Sequence, residues 1–229
     1  FFEYLGRTAP EMLPVCAKVA AIPIKRHQRP EMKFLARDEI EALFACIPAQ
    51  DRLSLRDRAL LMLLYNTGAR VSEAAQLKLE QLDLASPARV RLLGKGSKWR
   101  TCPLWTQTAK ALQAMLDERD TVLSPDTHVF VGDTGGGMTR FGIYKRVRHY
   151  AKLWEAAGAQ ASRTHITPHV FRHTTAVHLL ESGVEVNVIR GWLGHVNLET
   201  TNRYAEITIR MKAEALKLLE PVAGGKARK

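Results

Sequence analysis

The sequence predicts a mainly α-helical domain with a small antiparallel β-sheet inserted early, an α+β fold. Three observations carry that expectation. Segments with helical apolar spacing and capping signals recur from Leu35 onward. Two short strand-like runs flank Gly94-Lys95-Gly96-Ser97, whose glycines suit a hairpin turn. With 229 residues, 46% of them hydrophobic, the chain is long enough to bury one large core.

The opening stretch stands apart from that domain. Phe1-Phe2-Glu3-Tyr4-Leu5 begins the chain without a methionine, a hydrophobic helical pattern that reads as the end of a preceding helical domain. Residues 7–33 then interleave Pro10, Pro14, Pro23 and Pro30 with the cluster Lys25-Arg26-His27-Gln28-Arg29. Such composition suits an interdomain linker facing a polyanion or, equally, a solvated surface loop. The expected division is 1–24 as the remnant of a helical domain, 25–34 as a basic linker, 35–220 as the main domain and 221–229 as a basic tail.

Within the main domain, Asp38 is expected to cap a helix over 39–46, and Ser54 to cap one that carries the apolar run 59–65. Thr67-Gly68 stops the latter, and Ser72 and Glu73 begin a short helix. Arg70 is left at the junction, where a side chain can point into a cleft. Strands are expected over 88–93 and 98–104, with Lys95 at the tip between them. A helix over 108–119, a short strand over 129–131, the flexible loop Gly135-Gly136-Gly137 and a helix over 140–157 follow. Pro168 suits the first turn of a helix running to Glu181, which Gly183 ends; further helices are expected over 186–193 and 207–219.

Charge points to the partner. The 34 Lys and Arg exceed the 23 Asp and Glu to leave a formal charge of +11, which suits a polyanion-binding surface, nucleic acid foremost. Composition alone does not separate DNA from RNA or an anionic membrane. Cys16, Cys46 and Cys102 are too far apart for a CxxC motif, and an odd number argues against a disulfide framework. The run 59–65 is about a third of the length of a membrane span, and no charged-then-apolar leader opens the chain. The cytoplasm, in association with DNA, is the expected location.

No GxxxxGK[ST] loop or HExxH occurs, and Gly94-Lys95-Gly96 lacks the third glycine of a dinucleotide fingerprint, so nucleotide hydrolysis has no support. His165, His169, His173 and His178 cluster, and histidines at i and i+4 share a helix face. A metal there is disfavoured: no cysteine lies near, no carboxylate follows at ligand spacing, and Arg172 would set a cation beside the ion. His173 reads instead as a packed or capping residue, and neither metal nor cofactor is expected. His169-Val170-Phe171-Arg172 puts an imidazole and a guanidinium one helical turn apart on one face, where a phosphate can dock.

At these residues the sequence resembles the tyrosine recombinase family of phage integrases and Xer-type recombinases. Thr167-Pro168-His169-Val170-Phe171-Arg172-His173 is similar to the family's HxxR box, and Thr67-Gly68-Ala69-Arg70-Val71-Ser72-Glu73 to its first arginine box. Gly94-Lys95-Gly96-Ser97-Lys98 resembles its lysine hairpin and Leu193-Gly194-His195 its second histidine box. Tyr204, within Thr200-Thr201-Asn202-Arg203-Tyr204, stands where the family carries its nucleophile. The likeness runs from about Leu35 to Leu219. Each residue has an ordinary structural explanation: Arg70 as a helix cap, Lys95 as a solvated turn, His195 as a core histidine, Tyr204 as a half-buried aromatic. Five motifs in the right order outweigh those separate explanations.

The resemblance implies the fold of a tyrosine recombinase catalytic domain, with residues 1–24 the end of an N-terminal core-binding domain. It implies Arg70, Lys95, His169, Arg172, His195 and Tyr204 as catalytic residues. In-line attack on a phosphodiester adds negative charge to its non-bridging oxygens, which the planar, permanently charged forks of Arg70 and Arg172 can bind in place of a metal. The family's roles then make Tyr204 the nucleophile, His169 the base, Lys95 the acid that protonates the leaving 5′ oxygen, and His195 a hydrogen-bond donor to the phosphate. Lys25, Arg26, Arg29, Lys98, Arg100, Arg140, Lys145 and Arg203 are expected as further DNA contacts. The implied partners are double-stranded recombination sites, bound by a homotetramer joined through the helix over 207–219, with a monomer off DNA; packing of that helix within its own chain is the alternative. Two other readings remain: type IB topoisomerase-like relaxation of DNA, and a catalytically idle DNA-binding module.

Overall fold

The computed structural model describes residues 1–23, 33–48, 51–119, 124–133, 135–158, 165–194 and Leu216. The chain divides into two units, Phe1–Met32 and Lys33–Lys229. In the first, α1 (Phe2–Thr8) and α2 (Leu13–Ala20) are joined by a 3₁₀ turn, Pro10–Met12. This corrects the linker expected from residue 7. Pro10 and Pro14 both fall in first turns, where the missing N–H breaks no helical bond, so they start structure here and do not interrupt it.

The second unit begins with α3 (Arg37–Ala45), whose cap differs from expectation. Ala36 occupies the N-cap position and Glu39 reaches back to accept its N–H at 2.8 Å, so Asp38 is not the cap. The next helix, α4 (Arg52–Thr67), is likewise capped by Asp51 and not Ser54: Asp51 accepts the N–H groups of Leu53 and Ser54 at 3.0 Å each, and the Ser54 hydroxyl turns back to Asp51. Along α4, Ala59, Leu60, Leu61, Leu63 and Leu64 are buried and form the centre of the core. At its end, Gly68 takes φ +58°, and a Cβ there would stand 2.4 Å from a methyl of Leu193. Both backbone conformation and packing therefore require glycine at this turn. The short helix α5 (Val71–Ala75) follows at once.

The sheet has three antiparallel strands in the order β1 (Leu82–Asp83), β2 (Arg89–Leu93) and β3 (Trp99–Pro103). Val90 pairs with Cys102 in β3 and with Leu82 in β1. Only β2 and β3 were legible as a hairpin; β1 is two residues long and carries no periodicity. Alternation along β2 buries Val90 and Leu92 against the helices and leaves Arg89 and Arg91 outside. The strand expected over 129–131 is reduced to isolated bridges, Lys78 with His128 and Val131 with Gly137.

Four further helices follow among the described residues: α6 (Thr106–Asp117), α7 (Arg140–Ala156), α8 (Pro168–Glu181) and α9 (Val186–Leu193). α6 and α8 pack on α4, and α9 packs on α8 and β3. Asp57 of α4, fully buried, accepts the Tyr150 hydroxyl of α7 at 3.0 Å and faces Arg56 and Arg146. Burial and that carboxylate push the Tyr150 phenol up to about 12, so it stays a donor. Among the described residues no helix is long and apolar enough to cross a membrane. The helix expected over 207–219 lies outside the described residues, apart from Leu216. Gly68→Ala should cost roughly 2–4 kcal/mol of stability from left-handed strain and the clash with Leu193, read as a lower urea midpoint at unchanged slope.

Candidate active site

Three helix ends build the site. Immediately after Gly68, Arg70 serves as the N-cap residue of α5 in an extended conformation. Its backbone N–H donates to one Glu73 oxygen at 2.7 Å and its guanidinium to the other at 2.9 Å. Glu73 is 2% exposed at its side chain and also accepts both terminal nitrogens of Arg100, at 2.9 and 2.7 Å. Burial alone would raise the Glu73 carboxyl; the hydrogen bonds and charge of Arg100, with those of Arg70, outweigh it and hold the group below the usual carboxylate range. A second Arg70 nitrogen donates to the Gly194 carbonyl at 3.3 Å, leaving the guanidinium partly exposed.

Arg172 comes from the first turns of α8 and is buried. Its guanidinium donates to the Gly68 and Leu193 carbonyls at 2.6 Å each. Those carbonyls belong to the ends of α4 and α9, which a helix leaves without internal partners and where its dipole favours a cation. His169, three residues earlier on α8, stacks against His173 with ring centroids 6.1 Å apart. Partial desolvation, then the charges of Arg172 and Arg70, lower the His169 pKa from 6.5, which favours the neutral ring at pH 7.

Arg70, His169 and Arg172 thus line one cavity of about 420 Å³, with Ser72, Arg140 and Tyr144 on its other sides. Three permanent cations and an imidazole in one cavity suit a tetrahedral anion and can accept a proton beside it. Lys95 lies on the β2–β3 hairpin, where Gly96 and Ser97 take φ +73° and +56°, and lines an adjoining cleft of about 470 Å³ that also reaches Gly194. His195 and Tyr204 lie outside the described residues, as do Lys25, Arg26, Arg29 and Arg203.

The remaining expected DNA contacts divide. Lys98 is exposed in the hairpin cleft, Arg140 is exposed at the first cavity, and Lys145 is exposed on α7 over the Phe141 ring. Arg100 has a different place: its side chain is 8% exposed, grips Glu73 and donates through Nε to the Trp192 carbonyl at 2.9 Å. Three of its five N–H donors are thus taken by Glu73 and Trp192, and the same side chain lines the hairpin cleft. The histidine cluster also separates, His165 bonding Tyr144 and His178 bonding Tyr65. Among the described residues no group of three or more His, Cys, Asp or Glu could hold a metal.

Glu73 is the site residue that pattern reading passed over as a helix start. The available signal was its spacing from Arg70, since a glutamate three residues after a junction reaches back to cap it. Glu73→Gln leaves buried Arg100 without its counter-charge and should cost about 3–5 kcal/mol of stability. Glu73 titrates lower folded than unfolded, so its contribution is complete above about pH 4.5 and lost as pH falls through its depressed value. The acid limb of the stability-versus-pH curve should accordingly flatten in Glu73→Gln; an unchanged limb refutes the assignment.

Comparison with known proteins gives the chain a lineage. The model of the phage integrase family matches residues 33–210. Tyrosine recombinase XerC of Staphylococcus carnosus (strain TM300) is 37% identical over 176 residues, covering 76% of this chain and 57% of the relative. The chain therefore spans little more than half the length of that protein. The crystal structure of XerA recombinase superposes with a TM-score of 0.69 at 23% identity, over 93% of this chain and 75% of that one, a likeness of fold. XerH site-specific recombinase, in a post-cleavage complex with a palindromic difH substrate, gives a TM-score of 0.67 at 25% identity, over 81% and 52% of the two chains. The mainly helical unit with its three-stranded antiparallel sheet has the fold of these recombinases' catalytic domains. By the family match and by this architecture together, the chain belongs to the phage integrase family of tyrosine recombinases.

Proposed function

We propose that this chain is the catalytic domain of a site-specific recombinase that cleaves and rejoins DNA strands through a covalent 3′-phosphotyrosyl intermediate and a Holliday junction. The observation that carries the reading is the convergence of Arg70, His169 and Arg172 on one cavity of about 420 Å³. The Tyr204 phenol attacks the scissile phosphorus as the bond to the 5′ oxygen breaks. Its proton passes to His169, whose neutral ring is competent to receive it. Arg70 and Arg172 neutralise the charge that builds on the non-bridging oxygens, the work a metal does elsewhere, and His195 donates to the same group. Lys95 protonates the leaving 5′ oxygen.

Because the phosphotyrosyl bond keeps the energy of the broken linkage, the 5′ hydroxyl of another strand can attack it and restore a phosphodiester without cofactor. Four protomers on two double-stranded sites exchange one strand pair, then the other, with the helix over 207–219 joining neighbours and a monomer off DNA. The location is cytoplasmic, on the nucleoid. Support comes from the +11 charge and from the DNA-bound state of the XerH neighbour.

Nicked suicide duplexes built from the DNA flanking the coding region test this. The chain should form a covalent adduct that Tyr204→Phe abolishes and that Arg70→Lys slows by roughly 10²-fold, since an ammonium does not reproduce the guanidinium fork. With the His169 pKa lowered from its ordinary 6.5, adduct formation should decline as the pH falls through that lowered value, where the ring takes up a proton and can no longer act as the base. Relaxation of a plasmid lacking the flanking DNA would favour the topoisomerase reading, and binding without an adduct would favour the idle module.

A further inference from the structure

The hairpin cleft, about 470 Å³, is larger than the cavity where the chemistry is assigned, and the proposed reaction uses only Lys95 of its lining. Its walls come from segments far apart in sequence: Lys95 and Lys98 on the hairpin, Asn187, Arg190 and Gly191 on α9. The spacing i, i+3, i+4 puts those three α9 residues on one helix face. That face is held in place from below, because the Trp192 carbonyl accepts from Arg100 at 2.9 Å and from the Cys102 thiol at 3.5 Å.

Two properties of the cleft have no explanation among the described residues. The first is charge. Among the described residues, no carboxylate lies within ion-pair distance of Lys95, Lys98 or Arg190, while Glu73 at the root of the hairpin is already shared by two arginines. Three unneutralised cations around one cleft repel one another and focus a positive field into it. The second is Gly191. Glycine within a helix is destabilising relative to alanine. Yet its φ is not left-handed, and a Cβ built there meets nothing within 4 Å. Neither conformation nor packing among the described residues asks for glycine; its effect is to leave the cleft wall bare, where another backbone can come close.

We propose that this cleft is a second backbone-phosphate subsite for DNA, beside the one that holds the scissile group. Arg190 anchors the phosphate, Asn187 adds a neutral donor, Gly191 is the point of closest approach, and Lys98 closes from the hairpin. The subsite rests on the strand-cleavage reading for its ligand and extends it. A neighbouring phosphate seated between α9 and the hairpin determines where the tip carrying Lys95 comes down. Arg190 is thus a positioning residue.

The test uses the full chain and a fluorescein-labelled 30-base-pair duplex of random sequence, with affinity measured against salt. Each phosphate contact removed lowers the slope of log affinity against log salt by about 1. Arg190→Gln should show that loss, whereas Lys110→Gln, an exposed cation on α6, should keep the wild-type slope. Gly191→Ala should melt at a higher temperature yet bind the duplex more weakly, opposite signs that a purely structural glycine does not produce. A wild-type slope in Arg190→Gln overturns the subsite, and so does a chain that fails to bind the duplex in low salt. Duplex binding without a Tyr204 adduct on the suicide substrates would instead sink the recombinase reading, and the slopes would still decide the subsite.

Discussion

A single buried carboxylate, that of Glu73, holds two guanidinium groups at once, and the rest of the site is arranged around it. Removing such ions from water costs several kcal/mol each, which only close, multiply hydrogen-bonded geometry offsets. Glu73 meets that condition: both oxygens accept from Arg100, one also accepts the Arg70 side chain, and the other the Arg70 backbone N–H. Arg100 in turn donates to the Trp192 carbonyl. One ion cluster therefore connects the start of α5, strand β3 and the last turn of α9, and fixes the direction in which Arg70 leaves the backbone.

Arg172 extends the same logic with neutral acceptors. By donating to the carbonyls of Gly68 and Leu193, it joins the ends of α4 and α9 where the helix dipoles favour a cation. The left-handed turn at Gly68 makes this possible, since a side chain there would push Leu193 away. Both arginines are thus held before any ligand arrives. Preorganised charge of this kind is the form of electrostatic stabilisation that acts without reorganisation during a reaction. Desolvation first, and then the same two charges, lower the His169 pKa.

The legible parts of the chain were those whose signals are local. α8 and α9 run over the residues that Pro168, Gly183 and Gly194 bracket, because a missing N–H and a permissive φ act within one turn. Neighbouring cap candidates were harder: Asp51 and Ser54 both suit an N-cap, and only the folded helix shows Asp51 taking the N–H groups while Ser54 bonds to it. The helical pattern at Phe1–Leu5 is met by α1, whereas α2 was hidden by prolines that read as breakers until their positions in the first turns were known.

For the site, the sequence by itself determined which reactive side chains exist and in what order, since the arginine, lysine and histidine motifs are written in adjacent residues. Tertiary structure decided what each one faces. Arg100 and Lys98 are two residues apart on one hairpin, yet one is buried against Glu73 and the other is exposed in a cleft. Glu73 likewise became a hub only when β3 and α9 closed over it. Burial and pairing at the site depend on segments as far as 124 residues away, and no local periodicity encodes which partner will arrive.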